Sequence, residues 1–124
     1  MAQTVVDSSF PKSARILKRG HFSQLHRAPH KFVGKQLVFD YRLGKSSCAR
    51  LGLTVSRKYG KSHERNRFKR LVREAFRLLR PHLPSDIEMN ILPQRGLQAP
   101  DFSLIHTDFQ ELIVHAKRTA EKSR

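Results

Sequence analysis

The stretch from Ser62 to Arg80 constrains the fold more than any other part of this sequence. Its apolar residues recur at steps of three and four, which is the spacing of a helix buried along one side. They are Phe68, Leu71, Val72, Ala75, Phe76 and Leu79. Ser62 is the predicted N-cap, and Glu64 favours the helix dipole in the first turn. Pro81 and Pro84 end the helix, so the rest of the chain must supply a core for its apolar side.

The opposite side of this helix is strongly basic. At about 100° per residue, one sector well away from the apolar stripe holds an amide and five cations. Its members are Asn66, Lys69, Arg70, Arg73, Arg77 and Arg80. Neither Glu64 nor Glu74 is expected in this sector, so the charges repel one another without compensation. A solvated surface is the alternative, but the planar fork of Arg suits phosphate, and we favour binding of a polyanion.

Composition supports an anionic partner. The 124 residues include 25 Lys and Arg against 10 Asp and Glu, giving a formal charge of +15 that folding itself does not need. A hydrophobic content of 38% with eight Phe favours a folded core over a membrane-surface peptide. The chain length predicts one domain, residues 1–124, with frayed termini at 1–10 and 117–124.

The number of cysteines and the length of the apolar runs indicate where the protein is expected to work. Cys48 is the single cysteine, which excludes an internal disulfide and favours a reducing compartment such as the cytoplasm. Apolar runs such as residues 37–39 fall far short of the roughly 20 residues of a membrane helix, so no membrane partner is expected.

The remaining segments predict a mixed α and β order. A short helix is predicted near residues 20–27, and two strands over 36–42 and 49–57 flank a turn and form a predicted hairpin. In the second strand, alternation turns one set of residues to the core and leaves Gly52, Thr54 and Ser56 on an open face. A strand over 87–91, a loop over 93–100 and a helix over 109–116 follow.

The loop before the basic helix extends the positive surface. Arg57, Lys58 and Lys61 lie in it, Gly60 allows the chain to turn, and the helix N-terminus offers amide donors to an anion. Phe22 and Tyr41 are candidates for stacking on unpaired bases, although an aromatic residue in this chain is more often part of the core.

Three motifs in this region resemble the bacterial ribonuclease P protein family. They are LGLTVSRKYGK at residues 51–61, RNRFKR at 65–70 and REAFR at 73–77. The resemblance implies an α+β fold, a compact two-layer α/β sandwich with a four-stranded mixed sheet, similar to a small-subunit ribosomal protein domain. It also implies a left-handed βαβ crossover, whereas general rules of handedness favour the opposite hand.

The same resemblance implies the protein subunit of a ribonucleoprotein. Such a subunit binds the catalytic ribonuclease P RNA and the 5′ leader of precursor tRNA, and promotes endonucleolytic removal of the leader. Catalysis and Mg²⁺ then belong to the RNA, with no catalytic residue, tightly bound metal or obligate protein partner expected for the protein. The implied RNA-subunit contacts are Arg65, Asn66, Arg67, Lys69, Arg70, Arg73 and Arg77. The implied leader cleft comprises Phe22, His26, Thr54, Ser56, Arg57, Lys58 and Lys61.

Two positions depart from the family pattern. His26 stands where a second aromatic residue is common, and Asp40 stands where an aromatic residue is often found in the cleft. An Asp there either repels phosphate or helps to hold a hydrated cation, and the sequence leaves both open.

Other chemistry lacks a supporting pattern. The spacing of His21, His26 and His30 does not match a structural zinc site. Residues 60–62 resemble part of a phosphate-binding loop, but Val55 stands where that loop needs Gly. The scattered carboxylates argue against a nuclease that acts without RNA. A ribosomal RNA-binding protein is the main rival, and a DNA-binding module ranks last because the basic helix follows a strand.

Overall fold

The computed structural model describes residues 30–44, 48–97 and 99–122. The helix predicted near residues 20–27, with Phe22 and His26, lies outside these ranges. In chain order the elements are β1 (His30–Val33), β2 (Leu37–Arg42), β3 (Arg50–Leu53), α1 (Ser62–Leu79), β4 (Glu88–Pro93) and α2 (Phe102–Lys122). Single turns of 3₁₀-helix cover Arg57–Tyr59 and Arg80–His82.

The four strands form one mixed sheet in the order β1-β2-β4-β3. β2 is antiparallel to both β1 and β4, whereas β3 and β4 are parallel and are joined through α1. The fold is therefore α+β with a four-stranded mixed sheet, as predicted. The hand of the crossover stays a prediction.

The predicted hairpin between residues 36–42 and 49–57 is wrong. β4 lies between β2 and β3, so that Asn90 is the register partner of both Asp40 and Gly52. A strand that is distant in sequence thus completes the backbone hydrogen bonds of both segments. The actual hairpin joins β1 to β2, and the sequence did not reveal β1.

The turn of this hairpin is tied to α2 by one buried carboxylate. Asp108 is fully buried and accepts hydrogen bonds from the backbone N–H groups of Lys35 at 2.9 Å, Gln36 at 2.8 Å and Leu37 at 3.0 Å. Gly34 makes this approach possible, because a Cβ at that position would lie 2.4 Å from the Asp108 carboxyl carbon. The first hairpin and the last helix therefore depend on each other.

One core joins the two helices to a single face of the sheet. The buried apolar stripe of α1 comprises Phe68, Val72, Ala75, Phe76 and Leu79, as predicted, while Leu71 is half-buried. Phe39 of β2 meets Phe109 of α2 edge to face at 5.2 Å. Within the described residues, neither helix is long and apolar enough to cross a membrane.

The N-cap of α1 lies one residue before the predicted Ser62. Lys61 occupies the cap position, and its backbone N–H donates to Glu64 Oε1 at 3.0 Å. The Ser62 hydroxyl instead accepts a hydrogen bond from Arg65 Nη2 at 3.3 Å. The prediction was wrong because Ser62 is already the first helical residue, and Lys61 before it has the extended backbone of a cap.

α2 extends beyond the predicted helix of residues 109–116 at both ends, and it includes most of the tail that was expected to fray. The Tyr41 hydroxyl lies 2.6 Å from His115 Nδ1 and 3.0 Å from Thr119 Oγ1. These hydrogen bonds hold the last turns of the helix against β2. Tyr41 is itself fully buried, so its candidacy for stacking on bases was wrong.

We expect Asp108→Asn to destabilise the fold by about 3 kcal/mol, because an amide cannot accept from three buried N–H groups at once. The exposed Asp101 is the matched control, since its Oδ1 accepts only from the Leu104 N–H at 3.2 Å at the start of α2. Asp101→Asn should cost less than about 1 kcal/mol. Urea unfolding of both variants measures the difference, and equal losses would contradict the role assigned to Asp108.

Candidate RNA-binding surface

The exposed side of α1 forms an open groove of about 400 Å³. Its lining residues, which we call the basic groove, are Asn66, Arg70, Arg73, Glu74 and Arg77. The buried stripe occupies the opposite side of the same helix, so packing of the core turns this groove to solvent. Four of the seven predicted RNA-subunit contacts therefore lie together.

Glu74 lies within this groove, which corrects the prediction that no acidic residue compensates the charges there. The Arg77 guanidinium forms an ion pair with Glu74, and Arg77 Nε donates to Glu74 Oε1 at 3.1 Å. Hydrogen bonding to Glu74 raises the pKa of Arg77. The prediction was wrong because residues three apart are only about 60° apart around a helix, which is close enough for the long side chains of Glu74 and Arg77 to meet.

Arg65 has a structural task that the sequence did not indicate. Its Nη1 donates to the Gly60 carbonyl at 2.8 Å and its Nη2 to Ser62 Oγ at 3.3 Å. The side chain thus fastens the loop to the first turn of α1 and lies outside the basic groove. Lys69 is half-buried and also lies outside it.

Arg67 does not line the basic groove, although Arg70 follows it by three residues. It borders a smaller cleft of about 210 Å³. We call this the Tyr59 cleft, and its lining residues are Tyr59, His63, Glu64, Arg67, Ala99 and Pro100. The predicted contact set therefore divides between two surfaces.

Tyr59 has an unusual environment in this cleft. Its ring packs on Phe68 with centroids 5.4 Å apart, and its hydroxyl is buried with no hydrogen-bond partner among the described residues. Burial raises the pKa of Tyr59; the Glu64 charge raises it further, and the Arg67 charge opposes them. Both charged side chains therefore lie close enough to act on the ring.

The described residues of the predicted leader cleft run from the end of β3 to the start of α1. Thr54 Oγ1 donates to Asn90 Oδ1 at 3.1 Å, and Asn90 Nδ2 lies 3.0 Å from the same hydroxyl. The predicted strand of residues 49–57 is too long: β3 ends at Leu53, residues 54–56 are irregular, and Arg57 begins a 3₁₀ turn, Arg57–Tyr59. Ser56, Arg57, Lys58 and Lys61 are exposed. The structure thus places these residues along one continuous segment.

The second face of the sheet carries buried charges that alternation alone did not reveal. Glu88 is only 1% exposed; Arg42 Nε donates to it at 2.7 Å, and Arg50 Nη1 lies 3.9 Å from its carboxylate. Strand pairing places Arg42 and Arg50 beside Glu88, and this pairing could not be predicted from the alternation within each strand. Asp40 is buried and lies 3.8 Å from Lys31 Nζ, and its two predicted roles both stay open.

Comparison with known proteins gives the family. The family model described as Ribonuclease P matches residues 10–117 of this chain. This chain belongs to the ribonuclease P protein family. Among curated relatives, it is 43% identical over 110 residues to the ribonuclease P protein component of Chlamydia abortus, covering 88% of this chain and 78% of that protein. It is 40% identical over 117 residues to the component of Chlamydia trachomatis serovar L2, covering 94% and 96%.

Solved ribonuclease P proteins share the fold. The protein from Thermotoga maritima matches with a TM-score of 0.71 and 27% identity, covering 80% of this chain and 94% of that one. The protein from Staphylococcus aureus matches with a TM-score of 0.73 and 25% identity, covering 86% and 97%. Membership in the ribonuclease P family implies an RNA partner in a ribonucleoprotein and a role in tRNA processing.

We expect Glu74→Gln to strengthen binding of this ribonuclease P protein to RNA by about two- to fivefold, because the change frees Arg77 and a surface ion pair is weak. Filter binding with ribonuclease P RNA at low salt measures the affinity. Glu111→Gln, on the exposed side of α2, is the matched control for the loss of one negative charge. Equal gains in both variants would show that only net charge matters.

Proposed function

We propose that this chain is the protein subunit of a cytoplasmic ribonuclease P holoenzyme. The basic groove binds the catalytic RNA, and the segment from Thr54 to Lys61 binds the 5′ leader of precursor tRNA. Holding both promotes endonucleolytic removal of the leader, which gives the mature 5′ end of the tRNA. The observation that carries the proposal is the clustering of Asn66 with three Arg side chains opposite a fully buried stripe.

The chemistry of the groove suits a folded RNA backbone. Arg70 and Arg73 are exposed, and their guanidinium groups can each donate two parallel hydrogen bonds to a phosphate. Arg77 is already engaged by the Glu74 carboxylate, which leaves it less available to a phosphate. We therefore assign most of the affinity for the RNA subunit to Arg70 and Arg73.

The leader segment has the chemistry expected for a single strand. Arg57, Lys58 and Lys61 are exposed beside the 3₁₀ turn and attract phosphate, while Thr54 adds a hydroxyl on the sheet side. Phe22 and His26, which the family resemblance also assigns to leader binding, lie outside the described residues.

The proposal gives the chemical step to the RNA, with Mg²⁺ held by that RNA and the substrate. The protein's part is to bind and orient the precursor, which lowers the entropic cost of reaching the reactive geometry. Among the described residues, no three His, Cys, Asp or Glu side chains form a group able to hold a metal ion.

The deciding experiment is multiple-turnover cleavage of a 5′-extended precursor tRNA at low Mg²⁺. The cognate ribonuclease P RNA is assayed with and without this protein, beside a control with protein alone. Stimulation only when both are present supports the subunit role. Absence of stimulation of a competent RNA would favour a general RNA-binding protein, and cleavage by protein alone would reveal an active site in the chain.

We expect the affinity for the RNA subunit to fall about a thousandfold between 50 and 200 mM salt, which corresponds to about six neutralised phosphates. Arg70→Ala and Arg73→Ala should each lower the slope of log affinity against log salt by about one. Both residues lie off the buried stripe, so circular dichroism and thermal unfolding should match the unsubstituted protein. An unchanged slope would exclude them as phosphate contacts.

A further inference from the structure

We propose that the Tyr59 cleft, which shares no lining residue with the basic groove, receives one unpaired nucleotide of RNA. This inference rests on the proposed function, because it assumes an RNA partner. It adds a second, chemically distinct contact that reads a base, whereas the groove holds backbone phosphates. The source of the nucleotide is either the RNA subunit or the precursor tRNA.

The size and walls of the cleft suit a single base. Its volume of about 210 Å³ lies below the range of about 300 to 1,000 Å³ that is typical of pockets for larger ligands. Tyr59 supplies an aromatic side chain and Pro100 an apolar one. Unpaired bases in RNA stack on such side chains, whereas a paired helix cannot enter so small a space.

The polar groups of the cleft match the edge of a base better than a phosphate. Arg67 and His63 are exposed donors, and Glu64 is an acceptor held in place by the Lys61 N–H at 3.0 Å. The Glu64 carboxylate repels a phosphate but accepts from the amino or imino groups of a base. Donors and an acceptor around an aromatic ring therefore favour a nucleotide whose base points inward.

The Tyr59 hydroxyl supplies an independent reason for a ligand. A buried hydroxyl without a partner costs the protein stability, and this one has none among the described residues. Because the hydroxyl is buried, the Tyr59 ring must turn toward the cleft for a base carbonyl or ring nitrogen to supply the missing acceptor. Arg67 was predicted to contact RNA but does not line the basic groove. In this proposal it contacts RNA from the Tyr59 cleft instead.

Site-directed photo-crosslinking tests the proposal directly. Ala99 is exposed and lines the cleft, and Cys48 is the single native cysteine. Ala99→Cys in a Cys48→Ser background accepts an aryl azide, and Val114→Cys, exposed on α2, is the control position. The holoenzyme is assembled with labelled ribonuclease P RNA in one arm and labelled precursor tRNA in the other. Its cleavage activity is checked before irradiation.

We expect a crosslink from position 99 to an unpaired nucleotide, absent from position 114, and the arm in which it forms identifies the source. Crosslinks to paired nucleotides only, or none from an active holoenzyme, would overturn the cleft proposal and leave the subunit role standing. Loss of the subunit role itself appears separately, as failure of the protein to stimulate cleavage.

Tyr59→Phe separates recognition from folding. Removing an unpaired buried hydroxyl should leave the melting temperature of the protein unchanged or higher, yet weaken the interaction with the crosslinked RNA about three- to tenfold. The readout is the dissociation constant for the RNA subunit, or KM for the precursor. Arg67→Ala should weaken the same interaction, whereas Arg118→Ala, exposed on α2, should not. Unchanged affinity in Tyr59→Phe would overturn the proposed base contact.

Discussion

Burial of the apolar stripe of α1 determines where the cationic side chains of this protein point. Phe68, Val72 and Phe76 are fully buried, and each large apolar side chain gains about 1.5 to 3 kcal/mol on leaving water. Repulsion between neighbouring charges on a helix costs only about 0.2 to 0.5 kcal/mol per pair. Repulsion among these charges is therefore far too weak to offset the loss of the core, and packing of the stripe leaves the charged side facing solvent. The basic groove is thus a consequence of packing, and its charges are concentrated at small cost.

The parts of the fold that could be predicted from the sequence are those set by local periodicity. The α1 stripe repeats over about three turns of one segment, so pattern alone located both the helix and its buried side. Strand pairing leaves no such local pattern in the sequence. β2 and β3 are close in sequence, yet each pairs with β4. The turn residues after Arg42 suggested a hairpin, but the backbone hydrogen bonds of β4 serve both neighbours. The Asp108 contact with the first hairpin spans 73 residues to Lys35 and leaves no local signal either.

The residues of the candidate site also fall into those that local periodicity predicts and those that only the tertiary fold brings together. Angular position around a helix placed Asn66, Arg70, Arg73 and Arg77 on one side, and the structure brings them together. The angular position of a residue around the helix does not show which partner a long side chain reaches. Arg65 turns back to the Gly60 carbonyl, and Glu74 reaches Arg77. The Tyr59 cleft was beyond sequence reasoning because Ala99 and Pro100 approach α1 only through the tertiary fold.

The two exposed flanks of α1 give the proposed RNA contacts different mechanical roles. Contacts along one groove restrain the bound protein in some directions but still allow it to tilt about the line of those contacts. A second contact at Arg67, beside a separate cleft, opposes that tilting. Arg65 adds to this rigidity from within the protein, because it fastens the loop that carries Lys58 to the helix that carries the groove. The proposed leader segment and the basic groove are thereby held in one relative position, which suits the proposed role of positioning one RNA against another.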